Sequence, residues 1–518
     1  MLLECVFVTA ILLAGFHCIA ERIDLRTMPS GDEGSWLSVA AELSRGHGFS
    51  THWLEYQFQK PYALPRPDDF RYPALTLLLA AVFRVTGVSY TAALWTCAGI
   101  FLCFCAAVYG TVQKAFGPAT ALLTLCATAL SLNQLQWNSV VYAEGLFGLV
   151  LAGVIYLSIT LDARKKRWWI GLGGGIGALA MVRPNGILLA AGLMWHFVRM
   201  PSNTRVPLRY LLYGLLAVCI VMTPWFIRNA LCFGSLFHIA GGAGLLQRTI
   251  NEPANESFLT LLKTAGVLFP FKATVIGIPR FAKTIIEFEH GLCIPLAGLV
   301  AAGFFQGRRF YNSFTFAGFC LTLALCCYAA YKSYAGVRYF TAFIPFVYAY
   351  GLYFAVASIR RIGWAKRRGY ARYSAYALVC ASFIAPIIYP LRYFERLHAA
   401  HRKTDQTYSE HRRTLDSLLS RNDCYFAASL SQLNFLFEYN CVGIQEDFDS
   451  SGVYRALSTF KPKILAFTSD EIDRRPVRDF IGLCTCNGCR VRQAARTASA
   501  VYFLLEYPLT GKINVAPL

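Results

Sequence analysis

The sequence predicts a polytopic α-helical membrane protein with a small C-terminal α/β domain. Hydrophobic residues make up 56% of the 518 residues, charged residues make up only 15%, and the mean hydropathy is +0.44. Apolar runs long enough to cross a bilayer recur along the chain, with short polar loops between them. These features exclude an ordinary soluble enzyme and predict about 11 to 13 transmembrane helices.

The distribution of charge supports the same class. The net charge is +20, which by itself is also typical of nucleic-acid-binding proteins. The basic residues, however, concentrate in short loops with few acids, at Arg164 to Arg167, Arg199 to Arg209, Arg308-Arg309 and Arg360 to Arg372. Cytoplasmic loops of membrane proteins have this composition. We therefore expect a lipid bilayer as a partner and no nucleic acid.

Apolar runs give the candidate spans and their orientation. The predicted spans are 1–20, 73–86, 90–113, 118–132, 139–161, 168–182, 187–199, 210–227, 291–306, 313–331, 338–358 and 373–390. Reading from the basic loops places 228–290 and everything after Pro390 outside the cytoplasm. Counting forward differs by one crossing, so 73–86 or 118–132 does not cross fully, or a further span lies within 259–288. The first span lacks a basic n-region and a cleavage site, which favours an uncleaved anchor.

The first loop outside the cytoplasm, residues 21–72, opens with an amphipathic helix. One face of this helix is formed by Asp32, Trp36, Val39, Ala40 and Leu43. Such a helix is expected to lie on the bilayer surface and to present Asp32, with Glu33 beside it, to a lipid-borne substrate. The alternative is purely structural: Asp32 or Ser30 caps the helix and Glu33 complements its dipole.

Three further places combine a cation with a span end. Lys60 and Arg71-Tyr72 precede the second span, Arg228-Asn229 begins the loop 228–290 and is followed by a Gly-rich segment, and Arg338-Tyr339 opens the span 338–358. A guanidinium beside a Gly-rich turn can bind a phosphate. The alternative for each is a boundary residue that reaches to the membrane interface.

The last segment, residues 398–518, changes character. It predicts helices at 404–420, 431–438 and 451–459, and strands at 424–428, 441–444, 464–468 and 501–506. Because no Gly-rich loop follows a strand, we expect neither nucleotide nor nucleic acid to bind there. Five cysteines lie in this domain, namely Cys424, Cys441, Cys484, Cys486 and Cys489. Structural disulfides and, less favoured, a metal site are the alternatives.

Several of these motifs, taken in order, resemble one family of membrane enzymes. They are Asp32-Glu33-x-x-Trp36, Arg71-Tyr72-Pro73, Arg183-Pro184-Asn185-Gly186, Pro224-Trp225-x-x-Arg228-Asn229 and Arg338-Tyr339. Together they resemble the GT-C membrane glycosyltransferases of the protein O-mannosyltransferase and lipid A aminoarabinose transferase type. The departures are Trp36, where a tyrosine is common, and Tyr72-Pro73, where the family has a double proline.

The resemblance implies a GT-C fold over residues 1–397 and a sugar donor linked to a polyprenyl or dolichyl phosphate. Asp32 matches the catalytic position, as a general base for an acceptor hydroxyl in an inverting transfer. Arg228 and Arg338 would neutralise the leaving phosphate. Glu144, a carboxylate just inside a span, would orient the sugar or an arginine, or else form a buried structural pair. No cofactor is required, although Asp32 with Glu33 can hold a divalent metal weakly.

The predicted site therefore has two classes of residue. Asp32 and Glu33 are the catalytic candidates; the substrate-binding candidates are Arg228, Arg338, Glu144, Lys60, Arg71, Tyr72, Asn229 and Tyr339. The expected acceptor is a glycan, lipid or protein, and the expected location is the bacterial inner or plasma membrane, with the site and the C-terminal domain outside the cytoplasm. The alternative function is a transporter or flippase for a lipid-linked saccharide, in which the same charges line a path.

Overall fold

The computed structural model shows a chain that is mainly helical and that ends in a mixed β-sheet. It describes residues 2–24, 29, 32–54, 63–202, 205–236, 258–288, 299–301, 311–332, 336–361, 404–420, 423–427, 434, 439–443, 457–468, 471, 481–482, 484–485, 489–497 and 500–507.

Except between α2 and α3, the helices in the first half of the chain follow one another through short connections. In chain order they are α1 (Leu2–Asp24), α2 (Glu33–Ser44), α3 (Pro73–Thr86), α4 (Tyr90–Phe116), α5 (Pro118–Ala129), α6 (Leu132–Asn138), α7 (Glu144–Thr160), α8 (Lys166–Val182), α9 (Leu188–Arg199) and α10 (Leu208–Phe233). Proline occupies the first turn of α3 and of α5, where its fixed φ suits a helix start. Ser89 caps α4 by accepting a hydrogen bond from the Ala92 amide.

The second half continues the helical bundle. Its helices are α11 (Phe258–Ala265), α12 (Phe269–Phe288), α13 (Ser313–Lys332), α14 (Gly336–Phe340), α15 (Ile344–Arg361) and α16 (Thr404–Leu418). Within the described residues, five segments are long and apolar enough to cross a membrane, namely Glu4–Ile23, Tyr90–Phe116, Leu208–Phe233, Ser313–Tyr331 and Arg338–Ser358. The chain is a polytopic helical membrane protein, as predicted.

Small residues set the closest helix contacts. A Cβ atom added to Gly173 of α8 would lie 2.0 Å from the Gly214 carbonyl oxygen of α10, so the two backbones touch at this point. A Cβ on Gly148 of α7 would lie 2.8 Å from the Phe104 ring of α4. The Gly-rich run after Trp169 therefore serves helix packing.

Two predicted segments differ from the structure. The predicted span 118–132 ends at Ala129, and a separate short helix, α6, follows it. The predicted loop 228–290 is helical at both of its described parts, because α10 extends to Phe233 and α11 and α12 follow. Helix α12 has 20 residues but is not among the five described segments that are long and apolar enough to cross a membrane, so a further span within 259–288 stays a prediction. The predicted span 373–390 and most of 291–306 lie outside the described residues.

Helix α2 differs from the amphipathic surface helix expected at the start of the first loop. Every residue from Glu33 to Glu42 is buried, on all faces of the helix. Its apolar face, with Trp36 and Leu37, belongs to the main core, and its other side packs on α3 and on strand β1 (Ser50–Thr51). The helix is therefore enclosed by protein, because the first loop folds back over it instead of leaving it on a bilayer surface.

The C-terminal sheet contains one strand that comes from the first loop. Its order is β2-β5-β4-β6-β8-β7, with parallel pairing from β2 to β6 and antiparallel pairing at β8 and β7. The strands are β2 (Trp53–Leu54), β4 (Cys424–Ala427), β5 (Asn440–Gly443), β6 (Ile464–Thr468), β7 (Arg490–Arg496) and β8 (Ala500–Glu506); β3 (Arg66–Pro67) pairs with β1 separately. The sequence predicted β4, β5, β6 and β8 but neither β2 nor β7.

Strand β2 is built into both faces of this sheet. Trp53 packs in the cluster that contains Tyr425 and Cys441, and Leu54 packs in the cluster on the opposite face that contains Phe426. The core of the C-terminal domain thus includes residues far outside 398–518. Cys424, Cys441, Cys484 and Cys489 are buried free thiols, whereas Cys486 lies outside the described residues.

Candidate active site

Asp32 stands at the N-terminal end of α2, between two arginines. Its Oδ2 lies 2.6 Å from Nη1 of Arg338, and its Oδ1 lies 3.4 Å from Nη2 of Arg71. The carboxylate makes no capping hydrogen bond to α2. The capping alternative for Asp32 is therefore not what the structure shows.

Arg338 joins Asp32 to a second carboxylate. Its Nε donates to Oε1 of Glu144, the first residue of α7, and the same oxygen lies 3.0 Å from Nη1 of Arg183, directly after α8. The guanidinium of Arg338 also lies over the Tyr142 ring, 4.0 Å from its centroid. Both acids and both arginines are largely withdrawn from solvent, so their interactions are stronger than at an exposed surface.

The charges around Asp32 determine its protonation state. Burial raises the pKa of the Asp32 carboxyl, but the nearby positive charges of Arg71 and Arg338 and their hydrogen bonds lower it by more. The net effect holds the pKa of Asp32 well below its usual range. Asp32 is therefore an anion at physiological pH.

Arg71 is held from the side opposite Asp32. Its Nε donates to Oγ of Ser35 at 2.7 Å, and its backbone amide donates to Oδ2 of Asp68 at 2.7 Å. The guanidinium lies 4.4 Å from the ring centroid of Phe70. These contacts fix the short return segment before α3, so that Arg71 faces Asp32 in a defined position.

A cavity of about 310 Å³ opens beside these groups. Its charged lining residues are Asp32, Arg71, Arg183 and Arg338, and its other lining residues are Trp36, Phe70, Tyr72, Val182, Pro184, Asn185, Ile187, Leu188, Leu325 and Tyr339. The volume falls in the range of small-molecule sites, roughly 300–1,000 Å³. A mixed wall of cations and apolar side chains suits an amphipathic anion.

Three nearly buried side chains of this wall have unused polar atoms. Nε1 of Trp36, the hydroxyl of Tyr72 and Nδ2 of Asn185 have no hydrogen-bond partner among the described residues. Buried polar atoms without a partner are rare and point to a ligand or water that the protein is built to receive. All three can donate a hydrogen bond.

Glu33 does not share the position of its neighbour. It is fully buried, its Oε1 accepts hydrogen bonds from the Tyr90 hydroxyl at 3.1 Å and from the Val141 amide at 2.8 Å, and it is not among the residues that line the cavity. Instead of the predicted catalytic position, Glu33 thus has a structural one. It ties α2 to α4 and to the segment that leads into Tyr142 and Glu144.

Arg228 and Asn229, predicted to bind phosphate, also lie elsewhere. Nη2 of Arg228 donates to the carbonyl oxygens of Phe49 at 3.1 Å and of Asp68 at 2.5 Å, and Nη1 lies 3.2 Å from Oδ1 of Asn229. The guanidinium also contacts the Trp225 ring at 4.7 Å. Arg228 therefore connects α10 to the first loop through hydrogen bonds and does not line the cavity. Lys60 lies outside the described residues.

The remaining predicted residues come together as follows. Arg71, Tyr72, Arg338 and Tyr339 line the cavity, and Glu144 lies behind it in contact with Arg338. The Tyr339 ring packs against Arg183, 4.9 Å from its guanidinium carbon. Among the described residues, no group of three or more His, Cys, Asp and Glu side chains is arranged to hold a metal ion.

Comparison with known proteins agrees with this architecture. Residues 66–227 match the family model described as dolichyl-phosphate-mannose-protein mannosyltransferase. The fold is similar to that of ArnT from Cupriavidus metallidurans bound to undecaprenyl phosphate, with a TM-score of 0.59 and 12% identity over 96% of this chain and 97% of that chain. The chain has the GT-C fold.

A second GT-C structure shows the same arrangement. The oligosaccharyltransferase of Archaeoglobus fulgidus, in complex with Zn and sulfate, matches with a TM-score of 0.56 and 10% identity over 96% of this chain and 74% of that chain. Among curated protein sequences, none matches this chain. The GT-C fold predicted from the ordered motifs is thus confirmed. It brings the first loop, the end of α8 and α14 to one cavity, with the start of α7 behind Arg338.

Sequence reasoning missed Arg183, Asn185, Ser35 and Tyr142 as members of this candidate site. Arg183 and Asn185 carried a signal, since they stand in the Arg-Pro-Asn-Gly break that ends the Gly-rich helix α8. Pro184 stops that helix, which leaves Arg183 at its C-terminal end. Ser35 and Tyr142 carried none, because only the three-dimensional fold brings them to Arg71 and Arg338.

Proposed function

We propose that this chain is an inverting glycosyltransferase that moves a monosaccharide from a polyprenyl-phosphate donor to an acceptor hydroxyl, with Asp32 as the general base. The observation that carries the proposal is the Asp32 carboxylate in a cavity whose wall also carries Arg71, Arg183 and Arg338. Three arginines and only one carboxylate are among the described residues that line the cavity, so positive charge is available for a substrate that is itself negatively charged.

The phosphate of the donor is bound by the arginines. Their forked guanidinium groups match phosphate oxygens, and in the displacement they stabilise the charge that grows on the leaving oxygen. A phosphate that shares Arg71 and Arg338 also weakens their hold on Asp32. The proton affinity of the carboxylate then rises, so donor binding itself prepares the base.

The transfer is a single displacement. The proton of the acceptor hydroxyl passes to the Asp32 carboxylate while the acceptor oxygen forms a bond to the anomeric carbon. The bond from that carbon to the phosphate oxygen breaks, and its electron pair leaves with the polyprenyl phosphate. General-base assistance of this kind contributes about 10²- to 10⁴-fold.

The sugar is held by the uncharged polar atoms of the wall. The unused donors of Trp36, Tyr72 and Asn185 suit hydroxyl oxygens of a monosaccharide. Apolar wall residues such as Ile187 and Leu325 suit the first part of the lipid chain. Undecaprenyl phosphate, the ligand of the similar ArnT structure, supports this class of donor.

We place the cavity outside the cytoplasm, at a bacterial inner or plasma membrane. Glu144 and Arg183 lie at the start of α7 and directly after α8, whereas the basic run from Arg164 to Arg167 lies at the opposite ends of the same two helices. The positive-inside rule assigns that run to the cytoplasm. The C-terminal domain shares the side of the cavity, because its sheet includes Trp53–Leu54 of the loop that carries Asp32.

The test compares Asp32→Asn with the wild-type full chain in lipid nanodiscs, using polyprenyl-phosphate sugars and membrane extracts as acceptor source. Asp32→Asn is expected to bind polyprenyl phosphate at least as well as the wild type but to lose roughly 10²-fold or more of sugar transfer. The control is Asp162→Asn, which changes a partly exposed aspartate in the loop between α7 and α8, at the ends of these helices opposite Glu144 and Arg183, and should leave transfer unchanged.

Two results would contradict the proposal. Transfer by Asp32→Asn at nearly the wild-type rate would remove Asp32 as the base. Passage of intact lipid-linked sugar across a vesicle membrane, with no cleavage by the wild type, would favour the transporter.

A further inference from the structure

The ring of one histidine, His52, contacts both the helix of the first loop and the C-terminal sheet. His52 directly precedes strand β2, its carbonyl oxygen accepts a hydrogen bond from the Cys441 amide at 2.9 Å, and strand β5 lies alongside. Its ring is placed between the two parts of the chain. Nδ1 lies 3.2 Å from Oδ1 of Asn440 on β5, and Nε2 lies 3.4 Å from Oε2 of Glu42 on α2.

Both ring partners of His52 are acceptors. The Glu42 carboxylate can only accept, and the Asn440 oxygen faces Nδ1. A neutral imidazole has one N–H and satisfies one acceptor, whereas an imidazolium has two and satisfies both. The pair of contacts therefore fits the doubly protonated ring.

The charges around the His52 ring also favour its doubly protonated form. Glu42 is almost fully buried and is also bound by Arg45 at 2.6 Å and by Nδ1 of His47 at 2.8 Å. Burial raises the pKa of Glu42, but the hydrogen bonds from His52, His47 and Arg45 outweigh it and bring the pKa to about 2. An anion thus faces Nε2, while the two neighbours that contact His52 from the described part of the tail, Asn440 and Asn434, are neutral.

We propose that His52 is a positioning residue, which as an imidazolium couples the C-terminal sheet to the helix that presents Asp32. Glu42 lies on α2, and the same helix carries Ser35, which holds Arg71, and begins directly after Asp32. Loss of the second ring proton removes one of the two hydrogen bonds through which His52 joins α2 to β5, and this loosens the connection. The proposal rests on the proposed function only for its kinetic readout.

The sign of the pH dependence follows from this. The folded connection favours the proton, so the connection is complete at low pH and is weakened as the pH rises and the ring loses its second proton. A merely structural contact made by a neutral ring would show no such change.

The first experiment follows hydrogen exchange of the β5 amides in the full chain, corrected for intrinsic rates. In the wild type, protection of the Cys441 amide should fall roughly tenfold or more as the pH rises. His52→Gln should show the low value at every pH. The matched control is His47→Gln, since His47 bonds the same Glu42 oxygen but is 60% exposed, and its removal should leave the protection of β5 unchanged.

Two variants of Asn440 test the protonation state of His52. Asn440→Asp gives Nδ1 an acceptor that is charged, so it should extend the protection of β5 to higher pH. In Asn440→Leu, the protection of the β5 amides should instead be lost at a lower pH than in the wild type. If protection in the wild type does not change with pH, or if His47→Gln behaves as His52→Gln does, the proposal is overturned.

The kinetic readout separates this proposal from the proposed function. Where the wild type transfers sugar, His52→Gln should lower kcat, and Asn440→Asp should move the alkaline limb of the pH profile upward. A chain that transfers no sugar but shows the expected exchange behaviour retains the coupling and loses the proposed function. Transfer by His52→Gln with a wild-type pH profile would show that His52 does not position the site.

Discussion

Asp32 and Glu33 are neighbours in sequence, yet their carboxylates lie in different surroundings. Asp32 meets Arg71 and Arg338 at the cavity, whereas Glu33 binds Tyr90 and Val141 inside the protein. Consecutive residues at the start of a helix point about 100° apart, so only one of them can face a given cavity. The acid pair therefore divides into the proposed base, Asp32, and a buried group, Glu33, that ties the same helix to its neighbours.

This division predicts different responses at Glu33. In Glu33→Gln the amide oxygen still accepts from Tyr90 and Val141, so we expect most sugar transfer to remain. Glu33→Ala leaves these buried donors without an acceptor, at a cost of about 1–3 kcal/mol, and should lower thermal stability and transfer together. Melting temperature and transfer rate of both variants in nanodiscs check this. Loss of transfer in Glu33→Gln at unchanged stability would instead make Glu33 catalytic.

Some of the site could be predicted from single residues, and some could not. Asp32, Arg71, Tyr72, Arg338 and Tyr339 stood at span ends or in ordered motifs, and they line the cavity. Arg228 stood in an equally good motif but contacts the backbone of Phe49 and Asp68. The sequence shows that an arginine is present at a span end, but which group it binds depends on the tertiary structure.

At the scale of elements, strand β2 connects the two parts of the chain. It has only two residues, yet Trp53 is 3% exposed and Leu54 is fully buried. We expect Trp53→Ala to destabilise the C-terminal sheet by about 3–5 kcal/mol, because it removes a large buried side chain. Mass-spectrometric labelling of the buried thiols Cys424, Cys441, Cys484 and Cys489 at constant pH measures the opening of the sheet.

The control for this variant is Trp95→Ala. Trp95 lies on α4 and is 38% exposed, so its removal should leave the tail thiols protected. Equal labelling of wild type and Trp53→Ala would mean that β2 is dispensable for the sheet.

Elements with a clear apolar pattern were predictable, and elements without one were not. Apolar runs predicted α4, α7 and α13 within a few residues, and β6 at its observed bounds, because each repeats its pattern over enough positions. Strand β2 has no period of its own, and His52 meets its partner Asn440 across 388 positions. Strand β7 is mostly exposed and rich in arginine, so no apolar alternation marks it.

At the scale of the whole molecule, acid should act on the C-terminal sheet through His411. Its side chain is buried against the Tyr502 hydroxyl at 2.7 Å. Burial lowers the pKa of His411 to about 3, against 6.5 for an unperturbed histidine. The unfolded chain therefore takes up a proton first, and stability falls as the pH decreases from about 6.5 towards 3, by up to about 5 kcal/mol.

Exchange of the β8 amides at several pH values measures this loss. His411→Phe removes the titrating group, so the acid-dependent part of the loss should disappear even if the variant is less stable at neutral pH. His47→Gln, an exposed histidine elsewhere, should keep the wild-type acid dependence. The same acid dependence in His411→Phe would assign it to other groups.

The pairing of β2 with β5 also affects how the chain is made. Trp53 leaves the ribosome long before Cys441, and at about 5–20 residues per second the interval is roughly 20–80 s. During that time most of the membrane helices are inserted, while the segment that forms β2 has no β5 strand to pair with. Translation that stops before the tail would therefore leave an exposed strand edge beside the candidate site, a suitable mark by which quality-control proteases could recognise unfinished copies.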